Sequence, residues 1–184
     1  TPTKSSAASD VYKRQSKEEL GSYKIHTRNG AIDDEAESEQ EAFDMAKQFL
    51  SYLPSSVDEL PPLLEADDPI DRKDESLINI IPKDPRQVYK MHDILNSVCD
   101  QNSFFEIGKK WGRSMITGLA RFGGIPIAIF AENPRVYGGA WTADSARKLI
   151  RLLDLAATFH LPVIHLEDCP VSYTHLRAHE TVMN

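Results

Sequence analysis

Gly138 and Gly139 lie in the stretch from Asn133 to Trp141 and are the residues best able to let a ligand approach the backbone, because glycine carries no Cβ. A tight turn ahead of a helix is the more ordinary use of such a pair. Asp168 follows the short run Val163 to Leu166 and could serve as a site carboxylate, although a polar strand end is the commoner role. His160, before Leu161 and Pro162, sits where an imidazole more often answers a helix dipole than acts as a base. Arg121, inside GLARFGG, could steer an anion or occupy an exposed strand position. Neither Cys99 and Cys169 nor His26, His92, His160 and His165 fall at metal-ligand spacing, so no metal site is expected. There is no GxSxG, no P-loop, no GxGxxG after a strand and no HExxH. No constellation here announces a reaction by itself.

The elements that must position these residues are readable from periodicity. Ala42, Phe43, Ala46, Phe49 and Leu50 recur at helical spacing, and the helix they predict ends before Pro54. From Pro54 to Asp74 four prolines sit among acidic and serine residues, which reads as an extended connector or boundary. Met91, Ile94, Leu95, Val98 and Cys99 predict a second amphipathic helix near 88–100. Two strand-like runs, Ile116 to Phe122 and Ile125 to Ala131, flank Gly123 and Gly124 and predict a β-hairpin. The second run is apolar without alternation and should be covered on both faces, with Pro126 at its start or on an edge. Thr142 then caps a long helix whose stripe is Ala146, Leu149, Ile150, Leu153, Ala156 and Ala157, making Leu149 and Leu153 expected core residues. Pro162 stops it, and Val163 to Leu166 is a strand that should pair parallel to the hairpin's second arm. Ligands of such sheets lie at the carboxyl ends of strands, which here means the 133–141 loop and the turn at 167–170.

The two ends of the chain are of another kind. Residues Asp10 to Gln15 can be encoded by GAT GTG TAT AAG AGA CAG. The reverse complement of that string, read from its third base, encodes Val171 to His175. Head and tail are thus translations of one inverted DNA repeat, which resembles the transposon end and adapters used in sequencing. Residues 1–15 and 171–184 are therefore expected to be translated adapter, leaving 16–170 as the natural stretch.

Lys and Arg number 21 against 28 Asp and Glu, a net charge of −7, which argues against a nucleic-acid surface. No apolar run approaches the ~20 residues that span a bilayer. Two cysteines without framework spacing suggest a reduced, cytoplasmic setting.

The order of motifs carries more than any one of them. LSYLP (Leu50 to Pro54), DPIDR (Asp68 to Arg72), IIPKDP (Ile80 to Pro85), VYKM (Val88 to Met91) and FFEI (Phe104 to Ile107) come first. TGLARFGGIP (Thr117 to Pro126), AENP (Ala131 to Pro134), GGAWTADSARK (Gly138 to Lys148) and HLPVIHLEDCP (His160 to Pro170) follow. This series resembles the carboxyltransferase (β) subunits of biotin-dependent acyl-CoA carboxylases, of the propionyl-CoA and methylcrotonyl-CoA type. The chain departs from the family at Lys90-Met91-His92, usually Asp-Met-Arg after the tyrosine, and at Trp141-Thr142, usually Leu-Asp. Those departures bear on the substrate subclass.

The resemblance implies an α/β, crotonase-like (ClpP/crotonase) fold of ββα superhelical turns, present here as a fragment. It implies that 16–60 ends the N domain, which holds acyl-CoA, and that 61–170 begins the C domain, which receives biotin carried on a partner. The implied activity is transfer of a carboxyl group from carboxybiotin to the α-carbon of an acyl-CoA. Implied partners are a biotin carboxyl carrier, a biotin carboxylase subunit and further copies in a hexamer. Biotin's own ring nitrogen is thought to take the α-proton, so few catalytic side chains are expected. The family's Gly-rich oxyanion pairs should lie outside 16–170, so no catalytic residue is assigned and the fragment alone should be inactive. Gly138 and Gly139 remain candidate ligand-binding positions. Two other readings stay open: the same subunit in an acyl-CoA decarboxylase, and a biotin-independent hydratase or isomerase of crotonase type.

Overall fold

The computed structural model describes residues 21–65, 68–69, 71–84 and 86–169. The terminal stretches read as adapter lie outside the described residues.

A short helix α1 (Tyr23–Asn29) opens the described chain, with Ser22 as its N-cap and Gly30 in the left-handed region closing it. Sequence periodicity did not signal it. Helix α2 (Glu39–Ser51) is capped by Ser38, whose side chain accepts from the Glu41 amide, with Glu39 and Glu41 against the positive end of the dipole. It ends before Pro54 as expected, but Phe43 and Leu50 on its anticipated stripe are exposed. Phe49 turns inward toward Phe105, and Tyr52, just past the helix, is buried.

In the connector that follows, Glu75–Asn79 forms a 3-10 turn. It leads to helix α3 (Met91–Val98), which buries Met91 and Leu95. Cys99 beside it is buried too.

Four strands form one sheet in the order β1-β2-β3-β4. They are β1 (Phe105–Ile107), β2 (Met115–Phe122), β3 (Ile125–Glu132) and β4 (Val163–Leu166). The hairpin β2–β3 turns on Gly123 (φ 58) and Gly124 (φ 80), both left-handed as a two-residue turn of this hand requires. Asp100 caps that turn, its two carboxylate oxygens accepting from the amides of Gly123 and Gly124 at 2.8 and 2.7 Å. Pro126, in the second position of β3, pairs with Arg121 and lies before Ala128, where pairing with β4 begins. Strand β4 runs parallel to β3, with Ile129 opposite Ile164 and Phe130 opposite His165.

Strand β3 is covered on both faces, as its unbroken apolar run requires. Ala128 and Phe130 face Leu149, Leu152 and Ala156 of helix α4 (Ala143–Thr158). Ile127, Ile129 and Ala131 face Met91, Leu95 and Cys99 on the α3 side. Hairpin, helix and parallel strand together make one ββα turn with its returning strand.

The stripe of α4 needs correction. Its inward face is Ser145, Lys148, Leu149, Leu152 and Ala156, whereas Ile150 and Leu153 are 56% and 38% exposed. Polar anchors rotate the helix away from the purely apolar reading. Thr142 and Ser145 form a reciprocal capping box, and the Ser145 backbone lies where a Cβ on Gly112 would come within 2.9 Å. Lys148 spans the core with its stem against Gly108 and donates from Nζ to Met115 O at 2.8 Å. A lysine with a long apolar stem and a carbonyl partner has taken a core position that Leu153 was expected to fill.

Candidate functional site

The carboxyl ends of β3 and β4 converge on one buried carboxylate. Glu132, the last residue of β3, has no exposed surface. It accepts from Trp141 Nε1 at 2.9 Å, from His165 Nε2 at 2.9 and 3.1 Å, and from the Asp168 amide at 2.9 Å. These donors come from the loop after β3, from β4 and from the turn after β4. A single side chain therefore fixes the geometry of all three.

Around it the packing is tight. His165 stacks on Phe130 with ring centroids 4.1 Å apart and planes inclined by 16°. Tyr89 donates its hydroxyl to Asp168 Oδ2, which ties the segment before α3 to the same turn. The Asn133 amide donates to Ser114 O at 2.8 Å, anchoring the start of the loop to the N-terminal end of β2.

Both candidate glycines lie here, and the structure separates them. Gly138 (φ 61) and Gly139 (φ 80) occupy a 3-10 turn, Tyr137–Gly139, with left-handed backbone. At Gly139 a Cβ would stand 2.9 Å from Asp168 O and 3.0 Å from Glu132 Cβ, so close packing against the hub demands glycine. At Gly138 no atom lies within 4 Å of such a Cβ, and the backbone is open. The amides of Gly139 and Ala140 are already used, donating to Val136 O and Tyr137 O at 3.0 and 3.1 Å. Tyr137, the first residue of the turn, and Trp141, just past it, are exposed aromatics.

The electrostatics do not favour a base or a nucleophile here. Burial pushes the Glu132 carboxyl up, but hydrogen bonds from Asp168, Trp141 and His165 outweigh it and hold the group below the usual glutamate range. A carboxylate so held is an anchor and a weak base. Burial, reinforced by Glu132, Glu167 and Asp168, raises the Cys169 thiol, so the thiolate needed for attack is disfavoured. Burial pushes the Cys99 thiol up to about 12. Burial and the bond to Asp168 also raise Tyr89, which stays a donor.

The remaining sequence candidates fall elsewhere. Arg121 neither steers an anion nor stands exposed. It is buried, stacks over the Tyr52 ring, and donates to Ser51 O, Pro62 O and Gly124 O. It staples the connector to the hairpin turn. His160 follows the last turn of α4 with φ 56, and its Nε2 lies 2.9 Å from Val57 O. Asp168 does belong to the site, through both its amide and its carboxylate. Glu132, His165, Trp141 and Tyr89 were missed as a group. The available signal was a glutamate ending an otherwise apolar buried strand. Among the described residues no group of three or more His, Cys, Asp or Glu could hold a metal ion. No helix among them is long and apolar enough to cross a membrane.

Comparison with known proteins adds the family context. A family model described as "Carboxyl transferase domain" matches residues 7–171. That match overruns the boundaries read from the inverted repeat, at 7–15 and at 171. The "Uncharacterized carboxylase YngE" of Bacillus subtilis (strain 168) is 35% identical over 161 residues, covering 87% of this chain and 31% of its own length. The mitochondrial propionyl-CoA carboxylase beta chain of Homo sapiens is 34% identical over 154 residues, covering 83% of this chain and 29% of its own. Among solved structures, the hexameric transcarboxylase 12S with methylmalonyl-coenzyme A bound superposes with a TM-score of 0.82 at 24% identity. It covers 89% of this chain and 32% of its own, and the likeness establishes the crotonase-like α/β fold. The chain spans about a third of the length of the relatives it matches.

Proposed function

Because the chain belongs to the carboxyl transferase domain family, we propose that its complete parent moves a carboxyl group from carboxybiotin to the α-carbon of an acyl-CoA. The observation that carries this reading is the family match across residues 7–171. The local chemistry supports it. Carboxyl transfer to an α-carbon passes through an enolate, which preorganised backbone donors stabilise without a side-chain nucleophile. The site offers a held carboxylate and one raised thiol, Cys169, and so suits positioning better than acid–base or covalent catalysis.

Residues 16–60 are assigned to the end of the N domain and 61–170 to the start of the C domain, with the ends as translated adapter. A ligand's approach is placed at Gly138, where the backbone is open, and Gly139 is given the packing role. The turn does not form a biotin site by itself, since the Gly139 and Ala140 amides are engaged internally and cannot both serve a ureido oxygen. Biotin would arrive on a carrier partner alongside a biotin carboxylase, with further copies of the subunit completing a hexamer. The setting proposed is the cytoplasm, and this chain alone is inactive. The test is biotin-dependent decarboxylation of methylmalonyl-CoA by the purified parent. Activity that requires biotin supports the reading, and biotin-independent hydration of an enoyl-CoA overturns it.

A further inference from the structure

A second feature lies away from the Glu132 hub, between α2, β1 and α4. Two adjoining cavities of about 200 and 260 Å³ share Asp33, Phe49 and Ile107 in their walls. Lys148 and Arg151 line the first, and Asp34, Met45 and Ala46 line the second. Folding creates both by laying α2 and the segment after α1 against the sheet and α4.

The charges on these walls balance, and two of them lack full partners. Lys148 is 4% exposed, and its ammonium donates to Met115 O at 2.8 Å. Among the described residues it forms no ion pair, so two of its three N–H donors have no acceptor. Desolvation lowers it only to about 8, so at pH 7 it is charged. A buried ammonium in that state is costly, and a carboxylate would answer it. Asp34 is the opposite case. Its Oδ2 is buried without a hydrogen-bond donor among the described residues, and Lys109 Nζ stands 4.0 Å from it. Asp33 and Arg151 pair at 2.9 Å, with Arg151 braced on Gly30 O. The cavity pair thus presents two cations and two carboxylates.

The rest of the lining is apolar. Phe49, Ile107 and Leu152 wall the first cavity, and Met45 and Phe105 continue that surface into the second. Small-ligand sites combine such walls with a few polar groups that fix orientation. Here the polar groups are of both signs. A ligand with one charge would leave a buried group of the other sign unanswered.

We infer that the cavity pair binds an apolar α-amino acid, with its carboxylate on Lys148 and Arg151, its ammonium on Asp33 and Asp34, and its side chain among Phe49, Phe105 and Ile107. Such binding is independent of carboxyl transfer, and its failure leaves that reading untouched. The test is an amide-resolved NMR titration of the full chain at pH 7 with L-leucine. Its two one-charge analogues, 4-methylpentanoate and 3-methylbutylamine, are titrated in parallel. Shifts should gather at Ile107, Thr117 and Leu152, which line the first cavity. L-Leucine should bind with a Kd of roughly 10⁻³ M or tighter, and either analogue at least about tenfold more weakly. Lys148→Met keeps the apolar stem, removes the ammonium, and should weaken L-leucine at least about tenfold. Ala46→Phe should weaken it as much by filling the second cavity. Ala46 is exposed on α2, so that variant should keep the thermal midpoint of the unsubstituted chain and reads the site even if Lys148→Met fails to fold. Equal binding of either analogue, shifts away from these residues, no binding of L-leucine, or undiminished binding by Ala46→Phe would overturn the proposal.

Discussion

Lys148 should make the stability of this protein rise with pH, against the trend set by its buried thiol. The residue is 4% exposed, and its ammonium has Met115 O as its hydrogen-bond acceptor. Desolvation lowers it from an ordinary 10.5 to about 8, with Glu106, Asp34 and Asp33 offsetting part of the effect. Below pH 8 the amine is charged in both states, and folding bears the full cost of burying it. Between about 8 and 10.5 the folded form sheds its proton while the unfolded form keeps it. The unfolded state then binds more protons, so stability rises with pH, by about 3 kcal/mol across the window. Cys99 acts oppositely, since a thiol raised to about 12 stays protonated when folded but ionises when unfolded, eroding stability above pH 9. Urea unfolding of the chain and of Lys148→Met, from pH 7 to 10.5, separates the two. Cys99 contributes equally to both proteins and cancels in their difference. The Met115 carbonyl left without its donor adds a pH-independent offset of about 1–3 kcal/mol. The difference should therefore shift by about 3 kcal/mol in favour of the Lys148 protein as pH rises. A difference that stays constant across the window would refute the buried-ammonium argument.

Other perturbations discriminate between packing roles. Leu149→Ala should cost about 2–5 kcal/mol, whereas Leu153→Ala on the outer face should cost under about 1 kcal/mol, both read from denaturant midpoints. Glu132→Gln keeps the volume of the hub but removes an ionised acceptor of three donors, and should lower stability by roughly 2–3 kcal/mol in thermal unfolding. Gly139→Ala should be far more damaging than Gly138→Ala. Both add left-handed strain of about 1–2 kcal/mol, but a Cβ at Gly139 also collides with Asp168 and Glu132.

The hairpin, the capped helix after it and the parallel return strand were legible because local chemistry specifies each. Gly123-Gly124 dictates its turn, Thr142 its cap, and Pro162 its stop. The face of α4 was half legible. Apolar periodicity put Leu149 and Leu153 on one stripe, but it cannot show that Lys148 would find Met115 O across the core and turn Leu153 outward. Arg121 was misread for a related reason, since its acceptors Ser51, Pro62 and Gly124 are brought together only by tertiary folding. The loop and turn bearing the site followed from strand order. Its centre did not, because Glu132, Trp141, His165 and Asp168 are separated in sequence and joined by the parallel pairing of β3 and β4. Short elements such as α1 and β1 were invisible to periodicity, being too brief to establish a period.

The central claim is carboxyl transfer by the complete parent, and isotopic transfer to free biotin tests it most directly. Methylmalonyl-CoA labelled with ¹³C in its free carboxyl group is incubated with biotin and either the complete parent or this chain alone. The parent should yield labelled carboxybiotin and an equal amount of propionyl-CoA, and the chain alone neither product. Propionyl-CoA formed by the parent without biotin, or turnover by the chain alone, would contradict it.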